Sequence, residues 1–155
     1  PRLSSAASDV YKRQPPILLA GVVVDTVRGV EATSDGDLVA HAVSDALLGS
    51  LALGDLGEHF PSSDPAMEGI DSMEILTLVG RMIEDRAHLV HNVDVTVISQ
   101  SDRIGQHRDT IREQLASALR IDRSVVSVKA TTTDSMGSIG ADEGLAVAAV
   151  VTVYR

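Results

Sequence analysis

Along residues 17–154, apolar positions recur with two different periods, and the switches between them mark the elements. ILLAGVVVD, from Ile17 to Asp25, is a β-branched run broken by Gly21, which reads as one kinked strand or as two short strands. Thr26 to Thr33 reads as a connector. Ser34 with Asp37 three residues later resembles a capping box, and Leu38, Val39, Ala42, Val43, Ala46 and Leu47 then keep helical spacing to about Leu53. Gly54 to Gly69 is a Gly/Pro/Ser/Asp-rich loop, long for a compact domain, and loops of that length are usually functional or unstructured.

Asp71 and Glu74 form a second cap signal, opening a helix through Ile75, Leu78, Val79, Met82 and Ile83. Asn92 to Ser99 alternates as a strand, a polar turn over residues 100–107 follows, and Ile111, Leu115 and Leu119 mark a third helix. Val125 to Thr133 is the next strand, a glycine-rich loop comes after it, and Leu145 to Tyr154 is a closing strand. This order predicts a single α+β domain, a small mixed sheet with helices covering one face. The closing strand is almost continuously apolar, so both its faces are expected to be covered, one of them by a neighbouring subunit.

Residues 1–16, PRLSSAASDVYKRQPP, break the pattern: they are basic in an otherwise acidic chain, lack a sustained period and end in Pro-Pro. They resemble adaptor read-through and are expected to be a non-native or disordered segment, with the domain spanning 17–155. Composition narrows the chemistry further. A net charge of −9 disfavours phosphate-tracking nucleic-acid binding, so an anionic ligand would need metal cations or clustered amides. Without cysteine, any transition metal must use His and carboxylate ligands. No apolar run reaches the roughly 18 residues of a membrane span, and a cytoplasmic location is expected.

Four clusters carry candidate chemistry. Asp37, His41 and Asp45 share one helix stripe, either as an ordinary acidic helix start or as part of a metal site; a catalytic zinc wants about three protein ligands, more than one stripe provides. GDLGEHFPSSD, residues 54–64, combines flexible glycines with the carboxylates of Asp55 and Asp64. SQSDRIG, residues 99–105, is a polar strand exit. KATTTD, residues 129–134, ends a strand in three threonines and Asp134, with alternation sending Thr131 and Thr133 to one side.

Taken in order, S-D-G-D-x-x-x-H at 34–41, A-L-G-D-x-G at 52–57 and K-A-T-T-T-D at 129–134 closely resemble the 2-C-methyl-D-erythritol 2,4-cyclodiphosphate synthase family of non-mevalonate isoprenoid synthesis. The resemblance implies a homotrimeric phosphorus–oxygen lyase with active sites at subunit interfaces. Its substrate would be 4-CDP-2-C-methyl-D-erythritol 2-phosphate, a phosphorylated small molecule cyclised with release of CMP, with neither nucleic acid nor membrane as partner. It implies that His41 is a ligand of Zn2+ or another divalent transition metal, completed by an Asp-x-His pair on the first strand. Asp134 would hold Mg2+ or Mn2+ at the diphosphate, leaving Asp37 and Asp45 as support.

By the same resemblance Thr33 and Ser34 approach the erythritol phosphate. Asp55, Leu56 and Gly57, with Phe60, Pro61, Ser62, Ser63 and Asp64, surround the sugar alcohol. Ser99, Gln100, Ser101, Asp102, Arg103, Ile104 and Gly105, with Thr131, Thr132, Thr133 and Asp134, hold the cytidine and its phosphates. Thr132 and Thr33 are the expected catalytic positions, Thr132 assisting the transition state. The chain departs from the family pattern in four places. Asp9 has no His two residues on; Thr33 stands where the family usually has His; Asp134 replaces the commoner Glu; Ser138 and Ala141 replace a usual Phe and Arg at the trimer's central cavity. The missing Asp-x-His implies impaired activity, and the alternative is a trimeric homologue, drifted at Thr33, Ser138 and Ala141, that binds or regulates. A small metal-dependent phosphohydrolase is a third reading.

Overall fold

In a computed structural model, which describes residues 16–29 and 32–155, the chain folds as a hairpin, a three-stranded mixed sheet and helices packed on one side of it. The segment 1–16 assigned above as non-native lies outside the described residues, except Pro16, which already belongs to β1.

Strands β1 (Pro16–Leu19) and β2 (Val22–Gly29) pair antiparallel, so the Gly21 break is a turn between two strands. Ala20 and Gly21 both have positive φ, 52° and 71°. That is the geometry which matches a two-residue turn to strand twist. β2 continues to Gly29 and takes in half of the stretch read as a connector from the sequence.

The mixed sheet has the order β4–β3–β5. β3 (Leu89–Ile98) lies between a parallel β4 (Val126–Thr131) and an antiparallel β5 (Ala146–Tyr154). Val93, Val95 and Val97 alternate into the core, facing Leu47, Leu48, Leu76, Val79, Ile83, Ile111 and Leu115 of the three long helices. Those helices are α1 (Leu38–Ser50), α3 (Ser72–Glu84) and α4 (Arg108–Leu119); a one-turn α2 (Leu56–His59) lies in the long loop. With no Trp and one Phe, the core is aliphatic.

Two expectations need correction, and a third, the cover on both faces of β5, is met on one face by this chain. Asp37, rather than Ser34, caps α1. β4 ends at Thr131, so strand alternation does not place Thr133 beside it. Only one face of β5 is covered in the single chain: Val147, Ala149, Val151 and Val153 pack on the core, while Ala148, Val150, Thr152 and Tyr154 are exposed. Period-two alternation with one helical layer produces this, and it leaves Val150 64% exposed on the open sheet face.

Candidate active site

The stripe of Asp37, His41 and Asp45 ties α1 to three different parts of the chain. Asp37 is fully buried and accepts amide hydrogens from Ala20 (2.8 Å), Gly21 (2.6 Å), Val39 (3.1 Å) and Ala40 (3.0 Å). Burial pushes its carboxyl up, and the amide donors from Ala40, Gly21 and Ala20 pull it back. The same carboxylate caps the helix and fastens the hairpin turn to it. Two turns further on, Asp45 Oδ1 accepts the amide of Leu56 at 2.8 Å and anchors α2.

Between them, His41 Nε2 lies 3.0 Å from Ser72 Oγ and 3.2 Å from Ser34 Oγ. Ser72 Oγ donates its one hydrogen to Asp35 Oδ1 at 2.5 Å, and Ser72 N–H donates to Asp35 Oδ2 at 3.1 Å. A hydroxyl has one hydrogen, so the contact from His41 to Ser72 needs the proton on Nε2. Ser72 and Asp35 are site residues that spacing gave no reason to select. Ser72 reads as an ordinary first helical residue behind the Asp71 cap, and its proximity to His41 comes from α1 packing on α3.

Ser34, His41 and Asp45 border a cavity of about 310 Å³. Of the expected site residues, Thr33, Ser34, His41, Leu56, Gly57, Phe60 and Ser62 line it, and Asp45 joins them. Met67, Ile70 and Ile75 give it an apolar wall. Asp55 caps α2 by accepting Glu58 N–H at 3.0 Å, and Asp64 caps the short turn Pro65–Met67 by accepting Ala66 N–H at 2.9 Å. Pro61 and Ser63 are exposed between them. Gly54 sits at φ +83°, a backbone conformation that a residue with a Cβ adopts only under strain.

The remaining expected residues gather at the ends of β3 and β4, and none of them lines that cavity. Ser99 N–H donates to Thr131 O at 3.0 Å, and Ser135 N–H donates to Gln100 Oε1 at 3.3 Å. Ile104 is 1% exposed and belongs to the core, so it fixes the 99–105 loop and offers a ligand only backbone. Ser101, Arg103 and Gly105 are exposed. Thr132 Oγ1 donates to Asp134 Oδ1 at 3.3 Å and accepts Asp134 N–H at 3.2 Å, while Thr133 Oγ1 donates to Met136 O at 2.7 Å. Asp134 and Ser135 have φ of 51° and 65°, and this left-handed corner presents exposed Thr132 and Asp134 side by side.

Among the described residues, no three His, Asp or Glu side chains converge on a metal-sized site. His41 supplies one nitrogen, short of what zinc needs. Asp134 fits a magnesium role better, since that ion commonly takes one or two carboxylates, substrate phosphates and water.

The YgbB family model matches residues 4–154. The 2-C-methyl-D-erythritol 2,4-cyclodiphosphate synthase of Shewanella halifaxensis is 44% identical over 149 residues, 95% of this chain and 94% of its own. Among solved structures, the bifunctional IspDF of Campylobacter jejuni superposes with a TM-score of 0.87 at 36% identity, over 90% of this chain and 38% of that longer one. A 2C-methyl-D-erythritol-2,4-cyclodiphosphate synthase in a CDP-bound form gives 0.81 at 28% identity, over 90% of both chains. No helix of the described residues is long and apolar enough to cross a membrane. Motif order, fold and these likenesses agree: the chain belongs to the YgbB family, whose relatives here are named 2-C-methyl-D-erythritol 2,4-cyclodiphosphate synthases.

Proposed function

We propose that this chain cyclises 4-CDP-2-C-methyl-D-erythritol 2-phosphate to the 2,4-cyclodiphosphate and releases CMP, as an enzyme of non-mevalonate isoprenoid synthesis in the cytoplasm. The observation that carries this is the partition of the candidate site into two half-sites. The His41 cavity has the apolar wall and small hydroxyls suited to a methylerythritol phosphate, and the β3/β4 exits have the exposed amides and hydroxyls suited to a nucleoside diphosphate. In one chain they are separate, so a homotrimer that brings one chain's cavity against another's strand exits is part of the same proposal.

The reaction asks little of side-chain nucleophiles, because the substrate's own 2-phosphate attacks the β-phosphorus and CMP leaves. The protein's work is to fold the substrate into line and exclude water. Phe60 and Ile75 wall the erythritol end, Ser34 and Thr33 offer hydroxyls to its phosphate, and Thr132 offers a hydroxyl where charge builds on the diphosphate. Asp134 would hold Mg2+ or Mn2+, which neutralises phosphate charge when bound. His41 would be a zinc ligand, and among the described residues it belongs to no group of three metal-holding side chains.

Calorimetry with CDP tests the reading. CDP is expected to bind more tightly with magnesium than without, and Asp134→Asn to remove most of the magnesium-dependent gain while the fold persists. Absence of CDP binding under every metal condition would overturn it.

A further inference from the structure

Arg28, on β2, holds three carboxylates from three separate segments. Its Nε donates to Asp25 Oδ2 at 2.6 Å, its Nη2 to Asp102 Oδ1 at 2.6 Å, and its Nη1 to Asp142 Oδ1 at 2.8 Å. The side chain of Asp102 is only 3% exposed, and its second oxygen accepts Ser99 Oγ at 2.5 Å. Asp142 Oδ1 also accepts Ser101 Oγ at 2.8 Å. One guanidinium thus joins the hairpin to the 99–105 loop and to the far end of the glycine-rich 134–144 loop. The second of these loops begins with Asp134, and the Gln100–Ser135 bond links the two loops again at that end.

The chemistry requires arginine. Its planar fork aims Nε, Nη1 and Nη2 at three separate carboxylates in fixed directions, whereas a lysine carries its three donors on one nitrogen at the end of a flexible stem. Without the guanidinium, three carboxylates would face one another, and the nearly buried Asp102 would lose its cation. The two loops would then be held to each other only by the Ser101–Asp142 and Gln100–Ser135 bonds, and their spacing would loosen.

We infer that Arg28 is a positioning residue for nucleotide binding, setting the spacing of the 99–105 and 134–144 loops through Asp102 and Asp142. It touches no reacting atom. The inference rests on the nucleotide role proposed above for those loops.

The test compares Arg28→Ala, Arg28→Lys and the unaltered protein by CDP calorimetry with magnesium and by amide hydrogen exchange without ligand. Arg28→Ala is expected to weaken CDP by about tenfold, the usual scale for a residue acting through others. Exchange should rise in residues 99–105 and 137–144 and stay unchanged in α3. Millimolar guanidinium should restore part of the affinity to Arg28→Ala without raising its melting temperature, which a purely structural role would not produce. Arg28→Lys should recover less than half of the loss, and it serves as the test variant if Arg28→Ala does not fold. Unchanged exchange in both loops, or loosened loops with unchanged CDP affinity, overturns the inference. If the unaltered protein fails to bind CDP, the proposed function falls instead, and exchange alone decides whether Arg28 sets the loops.

Discussion

Asp37 Oδ2 accepts the Gly21 amide at 2.6 Å, so the residue that starts the His41 helix also holds the hairpin turn against it. Asp37→Asn would set an amide NH2 against one of four N–H donors in a fully buried position. A cost of about 1–3 kcal/mol is expected from leaving a buried donor unpaired, measured as a lower urea midpoint with an unchanged slope. An unchanged midpoint would mean that the four amides do not depend on the carboxylate.

Asp45 acts on the other side of His41. Its bond to Leu56 N–H is exposed, so Asp45→Ala should cost no more than about 1 kcal/mol. The local effect should be larger: amide exchange in residues 56–60 is expected to accelerate while α1 stays protected. Equal exchange in the two proteins would remove Asp45 as the anchor of the cavity rim.

The Arg28 side-chain hydrogen bond, with the Val27 amide, holds the Asp25 carboxyl below the ordinary carboxylate value of about 3.9. A carboxyl depressed on folding contributes stability above its unfolded value, and that contribution is lost as pH falls through the folded value. The acid limb of the stability curve should therefore carry an Asp25 component below about pH 4. Carboxyl NMR titration should place Asp25 low in the unaltered protein and nearer the ordinary value in Arg28→Ala. A titration that does not move between the two would contradict the role given to Arg28.

Val150 lies opposite Asp94 in the β3–β5 register and projects from the open sheet face, 64% exposed. Val150→Lys should be tolerated by the isolated sheet, where it faces the exposed Asp94–Lys129 ion pair, and should oppose an apolar subunit contact. Sedimentation is expected to show a trimer for the unaltered protein and a folded smaller species for Val150→Lys. A monomer in both cases would remove the trimer from the proposed function.

The helices and the three-stranded sheet were legible because their periods are strong, and Asp71 was read correctly as a cap. The Asp37–His41–Asp45 stripe was legible as a stripe but not in its parts. Helical spacing shows that three residues share a face; it does not show that Asp37 reaches back to Gly21 or that Asp45 reaches forward to Leu56. Ser72 and Arg28 were invisible for the same reason. Their partners, Asp35, Asp102 and Asp142, lie 37, 74 and 114 residues away, and only tertiary packing joins them. The apolar run of β5 signals burial on both faces; this chain covers one of them, and the other is the face expected to meet a neighbouring subunit.

The most direct measurement is phosphorus NMR of 4-CDP-2-C-methyl-D-erythritol 2-phosphate incubated for an extended period with the protein, magnesium and zinc. The expected result is CMP and the 2,4-cyclodiphosphate appearing in equal amounts, slowly if His41 lacks its full ligand set, with no inorganic phosphate. Inorganic phosphate, or CMP without the cyclic product, would make the protein a hydrolase. Substrate returned unchanged would make it a family member that binds without catalysing.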